Sequence, residues 1–369
     1  MKKNIKLILL SICFPFGLMA QELINSQFYL NRVNTNPAFV GELSGSRINL
    51  NSRMQWRNVP SDPNRVFGNF AVANASYDKP LCSFGQNVGV GVRASHESHG
   101  QAGLQTTSGY GAFSFTVNFS QKRKRKSFNT LLNSIRFGLE IGFLQRSINS
   151  GNLIYSDQID PVRGLISGSA NSNLPLVSKL GFNSNTGTII SFNVSKSKKI
   201  PIKKLYLGFA AHNLFRPSVN LISNNSDERI QRRYTGHITA MFDNKWPVAL
   251  LIHLRYMQLE SFRTNVKDIF INGVKNVGPR SNIHPTLGAG FRLASNPFSK
   301  NNHSIIGAMG LTWGNGNQFM VSSDMNIGGF SNGSISTWEL SLIWNFDNAC
   351  KKGRGRRSSG TGYLGCADL

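Results

Sequence analysis

His96-Glu97-Ser98-His99 brings two imidazoles and a carboxylate within four residues, the composition of a metal pair. Such a pair needs a helix or rigid strands to align its ligands, and the run is expected in a loop with no helical periodicity around it. No metal is assigned. Gly89-Val90-Gly91 and Gly288-Ala289-Gly290 alternate glycine as strands do, and no helix follows to make either a phosphate loop. Cys350 and Cys366 are spaced to close a loop near the end of the chain, with Cys82 as a competitor for either. No Ser–His or carboxylate constellation stands out, so neither a cofactor nor an enzymatic activity is expected. What remains is arginine. Arg47, Arg53, Arg93, Arg136, Arg255 and Arg292 are bidentate donors suited to carboxylates, whether acidic side chains or a chain terminus.

The elements that carry these arginines alternate. In residues 47–56, Arg47, Asn49, Asn51, Arg53 and Gln55 share one parity, while Ile48, Leu50, Met54 and Trp56 share the other. Period two is the mark of a strand with two unlike faces. Phe113, Phe115, Val117 and Phe119 oppose Ser114 and Thr116. Ile135, Phe137, Leu139, Ile141 and Phe143 oppose Arg136 and Glu140. Val248, Leu250, Ile252 and Leu254 oppose His253 and Arg255, and Trp338, Leu340, Leu342, Trp344 and Phe346 oppose Glu339 and Ser341.

The first twenty residues say where such strands work. Lys2, Lys3 and Lys6 precede the apolar run Leu7–Leu18, and Leu18-Met19-Ala20 before Gln21 reads as a cleavage site, so export with cleavage between Ala20 and Gln21 is expected. Later in the chain no stretch approaches the ~20 apolar residues of a membrane helix. The chain is 40% hydrophobic with only 16% charged residues, yet carries +24, or +21 without those three lysines. The fold expected is all-β, a transmembrane antiparallel barrel in an outer membrane. In lipid every backbone group must be paired, and only a closed sheet pairs them all. An outward Arg at mid-bilayer costs about 2–4 kcal/mol, so the six arginines should face the lumen. By the same reasoning Phe115→Arg or Leu342→Arg should impair assembly, and Arg53→Gln or Arg136→Gln should leave it largely intact. Trp56, Trp338, Trp344 and Tyr110 are candidates for aromatic girdles.

About fourteen strands are expected, near residues 45–57, 66–78, 86–97, 104–120, 133–148, 177–195, 204–215, 232–243, 247–258, 262–271, 285–295, 303–314, 317–327 and 335–347. An even count returns both ends to the periplasm and puts the longest connection, 148–176, outside the cell. It makes Asp243-Asn244-Lys245 and Gly314-Asn315-Gly316-Asn317 tight periplasmic turns. It also gathers three basic clusters on the periplasmic side. These are Lys122, Arg123, Lys124, Arg125 and Lys126; then Lys196, Lys198, Lys199, Lys203 and Lys204; then Lys351, Lys352, Arg354, Arg356 and Arg357. They are read as turns held by anionic lipid headgroups or as a docking face for an acidic partner. Nucleic acid is excluded by export despite the charge.

Four segments follow: a signal peptide at 1–20, an N-terminal periplasmic or plug segment at 21–44, the barrel at 45–347, and a basic periplasmic tail at 348–369. The second segment, with its Asn-Pro-Ala turn, is left open between a plug inside the barrel and a strap beneath it.

The order of several short motifs resembles the PorP/SprF family of outer-membrane proteins of the type IX secretion system of Bacteroidetes. They begin with Gln27-Phe28-Tyr29-Leu30-Asn31, then Asn36-Pro37-Ala38-Phe39-Val40-Gly41, then Arg53-Met54-Gln55-Trp56. Leu153–Asp160 with Gly164, Gly208–Leu214 with Pro217, Arg233-Tyr234-Thr235-Gly236-His237, Ser323-Asp324-Met325-Asn326 and Glu339–Leu342 follow in the family's order. Phe39-Val40 and Leu214-Phe215-Arg216 depart from its usual pattern. The resemblance implies a barrel similar to the fatty-acid transporter barrels. It also implies a non-enzymatic role in exporting and anchoring a large surface cargo through the cargo's C-terminal domain, a gliding-motility adhesin above all. Its partners would be that cargo, periplasmic type IX secretion or gliding components, and outer-membrane lipid. A core ring-associated component and an uptake channel are the alternatives.

Overall fold

The computed structural model describes residues 24–43, 45–55, 70–81, 87–99, 104–119, 132–148, 159–160, 164–165, 178, 180–194, 202–221, 229–242, 248–260, 265–275, 283–296, 299–314, 316–327 and 336–346. Fourteen antiparallel strands close into one barrel. In chain order these are β1 (Arg47–Gln55), β2 (Phe70–Pro80), β3 (Val88–His99), β4 (Leu104–Asn118) and β5 (Leu132–Ser147). After a two-strand hairpin, β6 (Ile159–Asp160) with β7 (Gly164–Leu165), come β8 (Gly181–Asn193), β9 (Ile202–His212), β10 (Arg233–Phe242) and β11 (Val248–Leu259). The wall ends with β12 (Asn265–Lys275), β13 (Ile283–Asn296), β14 (Ser299–Trp313), β15 (Asn317–Asn326) and β16 (Ser336–Asn345). Each wall strand pairs with its neighbours in sequence, β5 with β8, and β1 with both β2 and β16. The Phe346 amide donates to Ser46 O at 2.8 Å, so both ends of the barrel meet on one rim, here the terminal rim.

Each expected strand has its counterpart, and the parity holds. Phe113, Phe115, Phe137, Leu139, Ile141 and Phe143 are exposed on the outer wall, while Ser114, Thr116 and Glu140 are buried inside. Trp338 and Trp344 face outward. Every backbone group of a closed ladder is paired, so the outer face can be apolar throughout. Between β14 and β15, Gly314 and Gly316 take positive φ (54° and 87°), the conformation a tight hairpin needs.

Two expectations are corrected. Tyr110 is no girdle residue. It has the inward parity of Ser114, is buried, accepts from Asn183 Nδ2 at 2.9 Å, and lies under the Arg93 guanidinium at 4.4 Å. His96–His99 belongs to β3 rather than a loop. Its alternation separates the two sides of the wall, so His96 meets the Thr107 hydroxyl at 2.9 Å while His99 meets Glu97 at 3.3 Å. Lys203 and Lys204 lie at the start of β9, beside the turn around which they were expected, and Lys204 is buried.

The densest core lies in the bore. Asn25–Val33 and Thr35–Gly41 are buried there. They form one short helix, α1 (Arg32–Thr35), and a 3₁₀ turn at Pro37–Phe39.

Candidate functional site: the occupied lumen

The wall holds the first half of this N-terminal segment through a relay of alternating charges. Arg255 pairs with Asp268 at 2.5 Å, and Asp268 with Arg292 at 2.6 Å. Arg292 reaches Asp324 at 3.2 Å, Asp324 pairs with Arg53 at 2.9 Å, and Arg53 with Glu339 at 3.0 Å. Six strands contribute one residue each. The relay is aimed at main chain. Arg255 and Arg292 donate to Asn25 O at 2.8 and 3.2 Å, and Arg292 to Ile24 O at 3.4 Å. Glu339 accepts the amides of Ser26 and Gln27 at 2.6 and 3.1 Å. The Ser26 hydroxyl bridges Arg53 and Asp324.

Next comes an aromatic nest. The Tyr29 ring stacks on His253 with centroids 4.6 Å apart and lies 4.9 Å from Phe270. Phe28, Tyr29 and Leu30 share a cluster with Phe270, Ile306, Ala308, Met320 and Ile343. Phe270 has room because Gly288 and Gly290 flank its ring, where a Cβ would strike it. That is the use of those two alternating glycines.

The Asn-Pro-Ala turn is the third hold. Asn36 Oδ1 accepts from the Ala38 amide at 2.9 Å and caps the 3₁₀ turn. Its Nδ2 donates to Thr188 O and Phe209 O, both at 3.2 Å, and lies 3.1 Å from His237 Nε2. Pro37 and Ala38 lie against Gly138, and Asn36 against Gly187; a side chain at either glycine would occupy the turn's own space. Phe39 stacks on His237 at 5.4 Å. His212 Nε2 meets Thr35 O at 3.3 Å. Gly41 has φ +61° and sits against Gly89, with its amide on Asp78 at 2.8 Å.

Three further arginines close the set. Arg47 binds Asp78 bidentately (2.9 and 3.1 Å) and donates to Phe39 O at 3.1 Å. Arg93 binds Glu140 bidentately (3.0 and 2.9 Å) and reaches Asn34 Oδ1 at 3.1 Å. Arg136 donates to Val40 O at 3.1 Å. Within the segment, Arg32 pairs with Glu42 at 3.3 Å. Residues 24–42 are therefore a plug.

A family model described as type IX secretion system membrane protein PorP/SprF matches residues 18–344. The chain belongs to this family. It is thus an outer-membrane β-barrel of type IX secretion. No curated protein matches the PorP/SprF chain. Among solved structures it is similar to the CymD monoaromatic hydrocarbon channel, at 11% identity and TM-score 0.44, covering 89% of this chain and 93% of that one. It is similar to a Pseudomonas aeruginosa FadL homologue at 10% identity and TM-score 0.40, with 82% and 90% covered. Against CdiB from Acinetobacter baumannii it shows 10% identity and TM-score 0.44, covering 82% of this chain and 60% of that one.

The six arginines singled out in the PorP/SprF sequence each donate to the plug, so their hydrogen-bond capacity is directed to this chain's own carboxylates and carbonyls. Asn36, Pro37, Ala38 and Gly41 form the turn that seats it, and Gln55 ends β1. Arg53 supplies one partner to each of Asp324 and Glu339, so Arg53→Gln removes an ion pair from both. Ala20, Gln21, Trp56, Cys82, Lys122–Lys126, Lys196, Lys198, Lys199, Cys350, Lys351, Lys352, Arg354, Arg356, Arg357 and Cys366 lie outside the described residues. Among the described residues no metal-ligating cluster occurs.

Sequence reasoning missed the acidic half of the network and the histidines under the plug. The signal was there. Acidic residues are few, 17 in all, and Asp78, Asp268 and Glu339 sit directly across the ladder from Arg47, from Arg255 and Arg292, and from Arg53.

Proposed function

We propose that this barrel is a non-conducting anchor of the type IX system. It binds a large exported cargo, such as a gliding adhesin, by the cargo's C-terminal domain, helps it reach the surface, and holds it there. The reading rests on one observation: residues 24–42 are buried inside the barrel, and wall side chains hydrogen-bond their main chain from Ile24 to Gly41. A polypeptide cannot thread past such a plug, so the cargo is bound at a rim. Both barrel ends share the terminal rim, which the even strand count assigns to the periplasm. The cargo then meets the opposite rim, which carries the 148–180 connection with its β6–β7 hairpin and the 212–233 connection. The basic turns and tail on the terminal rim are suited to acidic periplasmic components. Membership in a secretion-system barrel family supports a non-enzymatic role.

Two measurements test this. Purified barrel in planar bilayers should pass no steady current. Deleting the gene should remove one or a few large proteins from the cell surface while other type IX substrates are still secreted. Loss of every substrate together would make it a core component, and failed uptake of an apolar solute with surface display intact would make it a channel.

A further inference from the structure

We infer that the lumen is a peptide receptor. Its ligand is a segment with an aromatic pair followed by an Asn-Pro-Ala turn, and the chain's own residues 24–42 occupy it in cis without needing their covalent link to the barrel. This goes beyond the anchor role and does not depend on it.

The wall treats the plug as receptors treat peptides. Its charged side chains read main chain: arginines take the carbonyls of residues 24, 25, 39 and 40, Glu339 takes the amides of 26 and 27, and Asp78 the amide of 41. These contacts fix register and polarity but tolerate most side chains. Two pockets read identity. One is the slot between His253 and Phe270, filled by Tyr29. The other is the polar niche over Gly187, formed by Thr188 O, Phe209 O and His237, filled by Asn36. Main-chain bonds for affinity and spaced pockets for specificity are the division of labour in peptide recognition. The segment joins the wall strands only through residues 43–46, at the terminal rim. Its deeper half is held by hydrogen bonds from wall side chains to its main chain rather than by pairing in the sheet. It can leave without breaking any ladder.

The test uses the full chain. A protease site is placed at residues 43–45, the protein is folded in detergent, and the link is cut afterwards, so folding is complete before the cut. The 21–43 fragment should co-elute with the cut barrel through gel filtration. Excess labelled synthetic peptide of the same sequence should then exchange into the bore. Peptides carrying Tyr29→Ala or Asn36→Ala should need at least tenfold higher concentrations. Loss of the fragment on the first column would overturn the proposal by showing that the covalent link is what retains it. Exchange as efficient with the variant peptides would overturn it by showing no recognition. No exchange under any non-denaturing condition would show a fixed core element instead of a receptor.

Discussion

Arg53 on β1 and Glu339 on β16 are direct cross-strand partners on the seam that closes the barrel, and their side chains pair at 3.0 Å inside it. The same Glu339 carboxylate accepts two plug amides. Seam and plug therefore share one buried charge.

Glu339→Gln should weaken both together. Removing one partner of a buried ion pair costs about 3–5 kcal/mol when the other charge is left unpaired; the loss here is smaller, because Arg53 keeps Asp324 at 2.9 Å. The variant should lose its compact, heat-modifiable band on gels at a lower temperature than wild type. Arg53→Gln should behave alike, and the Arg53→Met, Glu339→Leu double variant should recover part of the loss. Single variants as stable as wild type would show that the relay does not hold the seam.

Glycine substitutions separate plug contact from general strain. Gly187→Ala and Gly138→Ala put a methyl group into Asn36 and Ala38. Both should displace the turn, expose the plug to added protease and raise bilayer current. Gly236→Ala, where a Cβ has open space, should change neither.

Asn36→Ala removes the cap of the Pro37–Phe39 turn and the donor to Thr188 O and Phe209 O. Each unmatched buried group costs about 1–3 kcal/mol. Expected are flickering current steps in single-channel recordings and an unchanged far-ultraviolet spectrum, since the wall strands are intact.

Charge on the outer face should hurt in a different way. Phe115→Arg and Phe137→Arg place a guanidinium in lipid, where a mid-bilayer arginine costs about 2–4 kcal/mol. Folding yield into vesicles should fall while the plug stays protease-resistant in the fraction that folds. Equal yields to wild type would overturn the assignment of that face to lipid.

Strand number, order and facing were legible because lipid enforces a strict period-two code, as Phe113 to Phe119 against Ser114 and Thr116 illustrate. The same code would have placed Tyr110 inside had its parity been followed instead of its type. The site was legible only in half. Arginine in a strand announces itself by its cost in lipid, whereas Asp268 and Asp324 reveal their role only once register sets them among Arg255, Arg292 and Arg53. The plug was the least legible part. Residues 24–42 have no periodicity of their own, and their shape is dictated by a cavity built from strands up to 313 positions away.

That separation has a consequence for biogenesis. Ser26 is made well before its amide partner, Glu339, which lies 313 positions later. Contacts so distant in sequence form late, after the chain between them has been ordered. The contacts of Ser26 and Gln27 with Glu339 thus form only once β16 is in place, after the other holds on the segment can have formed. A chain truncated before Glu339 lacks both the Arg53–Glu339 seam pair and the acceptor of the Ser26 and Gln27 amides. Glu339 therefore ties the end of the chain's fold to its beginning through one carboxylate.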